Sequence, residues 1–406
     1  LSFLIRRGGL PDLDEAMIFD ALIFIGAFTL AASVTFAANW LALIPWRQNK
    51  DKHWTEQARL FYPAAMAART SIWAIPSIVT IIVVLIWPDA SLIGLLTGVF
   101  SLLGAYTGTS FMYREVFIRI SKGEIFRSIF IGSLLHMLGW IVFISAAVFM
   151  PKEFNLLAWS IGGSVTLFWI FWSRYGWLWM GKKMGLYLPT PERLSKIVTE
   201  TSAKMKIPYG EALLIRSPFC QAYAVFNGRK LLFTERLLEV APNEEIAAIC
   251  VHELAHLSES KTVHLSRSTH MLTYLPWIFF NPLLHTFGMI AFWGLFMMAL
   301  FVPRIYVNIS HKLEIRADSL AQANEETPGV YARALARLYE DNLTPAVTSK
   351  RRSTHPALYD RLLAAGIKPD FSRPVTPMAM AWHGKMFSWL AWLLFGILAI
   401  RIVQSS

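Results

Sequence analysis

Ile246-Ala247-Ala248-Ile249-Cys250-Val251-His252-Glu253-Leu254-Ala255-His256 is the stretch on which the reading of this chain turns. Apolar residues recur at Ile246, Ile249, Cys250 and Leu254, the spacing of one helix face. Pro242-Asn243-Glu244-Glu245 opens that helix with acids in its first turn, where the dipole favours them. His252 and His256, four apart, then project from one face at a metal-binding separation. Glu253 lies beside them, placed to take a proton from an attacking water. The bland reading is two surface histidines on an amphipathic helix. An apolar helix that follows a strand hairpin argues against it.

A catalytic zinc wants three protein ligands and one open position. The metzincin continuation fails, because Glu259 and Thr262 stand where it requires Gly and His. A carboxylate from a later helix is the alternative. Glu314-Ile315-Arg316-Ala317-Asp318 offers one, with Glu314 and Asp318 on the same face. Glu314 would ligate, and Asp318 would accept the second N–H of a ligand histidine, fixing its tautomer. Between His256 and Glu314, the stretch from Met271 to Val302 is apolar and broken by Asn281-Pro282. Both ligands must meet one ion, so this stretch crosses a membrane an even number of times or not at all. A helical hairpin reversing at Asn281-Pro282 satisfies that, either spanning or re-entrant.

Upstream, residues from Gly185 to about Arg267 have the character of a soluble domain. Pro191-Glu192-Arg193-Leu194 begins an amphipathic helix with Leu194, Ile197 and Val198 on one face. Ala212-Leu213-Leu214-Ile215 reads as a strand. Ala222 to Phe226, Asn227-Gly228 and Arg229 to Phe233 read as a hairpin, since Asn-Gly suits a type I′ turn.

The flanks belong to lipid. The chain is 55% hydrophobic and 16% charged, against about a quarter charged in soluble proteins. Apolar stretches run from Ile18 to Ile44, Ser71 to Trp87, Ser91 to Tyr113, Ile125 to Met150, Leu156 to Met180 and Met378 to Val403. The first is too long for a cleavable signal peptide and follows Asp12, Asp14 and Glu15. Loops rich in Lys and Arg alternate with poor ones such as Pro88-Asp89, which puts the N-terminus outside and residue 185 onward in the cytoplasm. The net charge of +11 is explained by those loops, and no nucleic-acid motif accompanies it. Cys220 and Cys250 make no disulfide framework and no zinc-thiolate spacing.

The order of hairpin, His-Glu-Leu-Ala-His, paired apolar segments and Glu-Ile-Arg-Ala-Asp resembles the HtpX-like and CAAX prenyl protease family of membrane zinc peptidases. Ser353-Thr354-His355-Pro356 with Arg361 is similar to that family's late His-Pro…Arg motif. The likeness runs from about Pro191 to Ile367. It implies a mainly α, multi-pass membrane protein with an inserted α+β zincin-type metallopeptidase domain carrying a small β-hairpin or sheet. The expected division is 1–184 for the first spans, 185–375 for the peptidase domain, interrupted by the apolar hairpin at 268–307, and 376–406 for the last span.

The resemblance also implies one Zn2+ per chain, a protein or peptide substrate, and a bacterial inner membrane with the site towards the cytoplasm. His355 becomes the candidate oxyanion donor, with Arg361 ordering its loop. The segment Gln221-Ala222-Tyr223-Ala224, where the family commonly has Asn-Ala-Phe-Ala, becomes the substrate strand. Quality control of membrane proteins and trimming of lipidated C-terminal peptides stay open as substrate classes. A non-catalytic sensor or scaffold, argued against by an intact Glu253, is the reading from another class. Homo-oligomers and membrane partners also stay open.

Overall fold

In lipid every backbone polar group must be satisfied internally, and a long apolar helix does this locally. The computed structural model describes residues 13–87, 91–124, 131–260, 263, 274–349 and 355–404. Among the described residues five long helices come first: α1 (Leu13–Ala42), α2 (Trp54–Ile86), α3 (Ser91–Val116), α4 (Gly132–Val148) and α5 (Leu156–Lys183). All but α4 are long and apolar enough to cross a membrane. The 17 residues of α4 rise about 25 Å, short of a hydrocarbon core of about 30 Å. Residues 125–130 of that expected stretch lie outside the described residues.

Helix α2 begins at Trp54, well before the expected Ser71. Its first turns carry the Glu56–Arg59 pair, so they extend the helix without an apolar signal. Helices α1 and α3 approach closely at Gly104 and Gly108, where any Cβ would strike the carbonyl oxygens of Phe28 and Ala32.

The segment after the first spans follows with β1 (Tyr187–Leu188), α6 (Glu192–Met205), β2 (Glu211–Ile215), β3 (Ala222–Val225), β4 (Lys230–Thr234) and α7 (Asn243–Leu257). The sheet order is β1-β2-β4-β3, parallel between β2 and β4 and antiparallel elsewhere. Strand β3 is therefore an edge. Leu194, Val198, Leu231, Phe233, Ile246 and Leu254 are fully buried where α6 and α7 cover the sheet.

The hairpin turn differs from the type I′ expectation. Val225 pairs with Lys230, leaving a four-residue loop from Phe226 to Arg229. Positive φ falls on Gly228 (72°) and Arg229 (50°), whereas type I′ demands it at Asn227 as well as Gly228. Asn227 instead directs its amide to the Arg174 carbonyl at 2.8 Å. That carbonyl lies in a widened π turn, Trp172–Gly176, within α5.

The chain continues with α8 (Phe280–Phe287), α9 (Met289–Ala323), α10 (Val330–Asp341), α11 (Leu358–Ala364) and α12 (Trp382–Gln404). Helices α9 and α12 complete six candidate spans among the described residues. The reversal expected at Asn281-Pro282 occurs at Gly288, whose φ of 58° and ψ of −148° suit glycine alone. Pro282 sits in the first turn of α8, where its missing N–H costs little. Asn281 donates to the Met150 carbonyl at 2.8 Å, level with the end of α4. Residues 268–273 of the expected first arm lie outside the described residues.

Candidate metal centre

Helix α7 buries both faces, which explains its nearly continuous apolar sequence. Within it His252, Glu253 and His256 are all buried. Helix α9 runs on past its apolar half and brings Glu314 against the two histidines. His252 Nε2 lies 3.2 Å from His256 Nε2 and 3.4 Å from Glu314 Oε2. His256 Nε2 lies 3.5 Å from Glu314 Oε1. A tetrahedral zinc with arms of about 2.0–2.1 Å separates its ligand atoms by about 3.3 Å. The three donors thus already stand near the corners of such a site, and the group is the His-His-carboxylate set that could hold a metal.

The other ring nitrogens decide the tautomers. His256 Nδ1 meets Glu259 Oε1 at 2.7 Å, which leaves the lone pair on Nε2 when Nδ1 donates. His252 Nδ1 is 2.7 Å from Tyr331 Oη and 3.2 Å from Asp318 Oδ1. The expected direct bond from Asp318 is therefore shared with a tyrosine. Tyr331 donates its hydroxyl to Asp318 at 2.6 Å, while Arg361 grips Asp318 with two bonds of 2.7 and 2.6 Å and Tyr331 Oη with one of 2.8 Å. Arg361 comes from α11, where Ala357 starts the helix after His355-Pro356.

Burial and charge pull the titrating groups in opposite directions. Burial alone would lower the His252 pKa, but Asp318 and Glu314 lift it to about 9. This pocket of carboxylates and histidines wants a cation. Arg361→Met is expected to lower unfolding free energy by about 3–5 kcal/mol, because it strands a buried Asp318 charge. Denaturant unfolding in detergent would read this, and an unmoved midpoint would remove Arg361 from the support of the site.

A cavity of about 350 Å³ opens over the centre, lined by His252, Glu253, His355 and the start of β3 at Gln221, Ala222 and Tyr223. Ala224 lies further along the same edge, outside the lining. Burial, and then the Glu253 carboxylate, push the Tyr223 phenol up to about 12. His355 is half-exposed and directs Nδ1 to Glu314 Oε2 at 2.7 Å. Sequence reasoning passed over Tyr331 and Glu259. Glu259 carries one signal, its position three residues beyond His256 on the same helical turn.

Among solved structures, the crystal structure of S. mikatae Ste24p aligns with a TM-score of 0.49 and 16% identity, over 88% of this chain and 100% of that one. No curated protein matches the chain. Residues 190–366 match peptidase family M48, and every ligand and supporting residue just described falls inside that match. Set among helices long and apolar enough to span a membrane, residues 190–366 are thus similar to an M48 metallopeptidase domain.

Proposed function

We propose that this membrane metallopeptidase is a zinc endopeptidase that cuts membrane or membrane-associated proteins at the cytoplasmic face, with membrane-protein quality control as its role. The observation that carries the reading is the tetrahedral spacing of His252, His256 and Glu314 beside Glu253, in a cavity bordered by an open strand edge. The cytoplasmic assignment is supported by the cation-rich loops. Arg119, at the end of α3, reaches Asp341 of α10 at 2.7 Å, so a rich loop and the peptidase segment share one side.

A zinc held by the three residues supplies Lewis acidity to a scissile carbonyl and lowers the pKa of water. Glu253 takes the proton of the attacking water and returns it to the leaving amine. His355 donates to the developing oxyanion, and its bond to Glu314 fixes where its ring stands. Tyr331, Asp318 and Arg361 keep the ring of His252 aligned, and Glu259 does so for His256.

Substrate backbone adds to the edge of β3. Thr234 donates to the Gln221 carbonyl, so by strand alternation Tyr223 and Val225 also face β4. Ala222 and Ala224 turn their N–H and C=O groups to the open side. Ala224→Pro removes one outward donor without touching the ladder. It is expected to lower kcat/KM on peptides by about tenfold, the worth of one lost hydrogen bond, with zinc content unchanged. An unaffected kcat/KM would end the strand-addition model.

Trimming of lipidated peptides is a second reading, favoured by a neighbouring cavity of about 480 Å³. It shares Gln221 and Tyr223 with the first and is lined by Trp73, Tyr106 and Trp177 from the spans. Lipidated and bare peptides of one sequence, offered side by side, separate the two readings.

A further inference from the structure

The backbone of Cys220 faces the same way as that of Ala222 and Ala224, two and four residues on, yet it is already occupied. Its N–H donates to Asn342 Oδ1 at 2.9 Å, and its carbonyl accepts from Asn342 Nδ2 at 2.6 Å. In an antiparallel ladder, a hydrogen-bonded pair exchanges both bonds between the same two residues. One carboxamide, with an acceptor and a donor on neighbouring atoms, reproduces that exchange. The Asn342 side chain therefore stands where one residue of an added strand would stand.

Its position is firm. Asn342 follows α10 directly and caps it through the Leu338 carbonyl. Earlier parts of the chain hold that end of α10 in place, since Asp341 is paired with Arg236 and Arg119 at 2.7 Å each. Asn342, Leu338, Tyr339 and Thr344 form the wall of the catalytic cavity beside Cys220. At the other end of β3 the strand itself gives way to the turn, where the Phe226 carbonyl accepts from the Arg229 N–H at 3.0 Å.

We propose that Asn342 is a stop at one end of the substrate channel. A peptide laid along β3 pairs with Ala222 and Ala224, but the residue that would pair with Cys220 is displaced. The peptide must end there or turn out of the cleft. The consequence is an asymmetric specificity: flanking residues are tolerated on the side of the hairpin tip and restricted on the side of Cys220. This rests on the peptidase reading and on strand addition to β3.

The test uses the full chain in detergent. Casein fragments made by the wild type are mapped by mass spectrometry, and the chief cut is rebuilt as a short peptide with polyalanine added at either end. Extension at one terminus is expected to lower kcat/KM by about tenfold, the worth of one good backbone contact, and extension at the other to leave it unchanged. Asn342→Gly, which uncovers the Cys220 backbone, is expected to remove that asymmetry. Asn342→Asp keeps the acceptor for the Cys220 N–H and serves as the variant safest for folding, and zinc content reports integrity in both. Equal tolerance at both termini in the wild type overturns the proposal, as does an asymmetry that neither variant alters. Failure of the wild type to cut casein or any peptide would instead overturn the peptidase reading.

Discussion

Glu253→Gln is expected to retain zinc and to lose about 10²–10⁴-fold in peptide cleavage, the range attached to a positioned general base. The substitution is nearly isosteric, and Glu253 is not among the three residues whose donor atoms converge. Its carboxylate is buried within the cavity wall, so its loss changes proton transfer and not the metal. Metal analysis and initial rates on one preparation would check this. Cleavage within a few-fold of wild type would move the base elsewhere. Zinc in both proteins with cleavage in neither would raise the sensor or scaffold reading.

Glu314→Gln is expected to strip the metal and abolish activity. The carboxylate is the only anionic member of the trio and faces both Nε2 atoms at 3.4 and 3.5 Å. It also holds the His355 ring. Losing an outer partner of a ligand weakens metal binding by about 10–100-fold; removal of a ligand itself should exceed that. Competition against a chelator of known affinity gives the number. A Glu314→Gln protein holding zinc as tightly as wild type would mean that another residue completes the site.

The convergence of His252, His256 and Glu314 was legible because helices write their contacts at intervals of four. His252 and His256 share a face, as do Glu314 and Asp318, and the apolar stretch between the pairs required a reversal. Where the reversal falls was less legible. Proline is the louder signal, but proline fits the first turn of α8, and the backbone reverses where Gly288 permits a conformation closed to other residues. Tyr331 carried no signal at all. It opens an ordinary amphipathic helix, and only tertiary packing carries its hydroxyl to His252 and Asp318.

Asn227-Gly228 marked a turn but not its type, because the Asn amide was needed at Arg174. The start of α2 was misjudged for a related reason. A helix that leaves the membrane keeps its hydrogen bonds and drops its apolar composition, and hydropathy sees only the second property.

The grip of the hairpin tip on the π turn of α5 has a practical corollary. The strand that borders the cleft is moored to a lipid-embedded helix through Asn227, and Lys182 at the end of α5 reaches Glu211 of β2 at 2.9 Å. A fragment trimmed to the family segment at residue 190 would lose both moorings while keeping every ligand. Such a fragment is expected to bind zinc and handle peptides poorly, which makes the bilayer part of the catalyst's scaffold and its solubilisation a chemical variable.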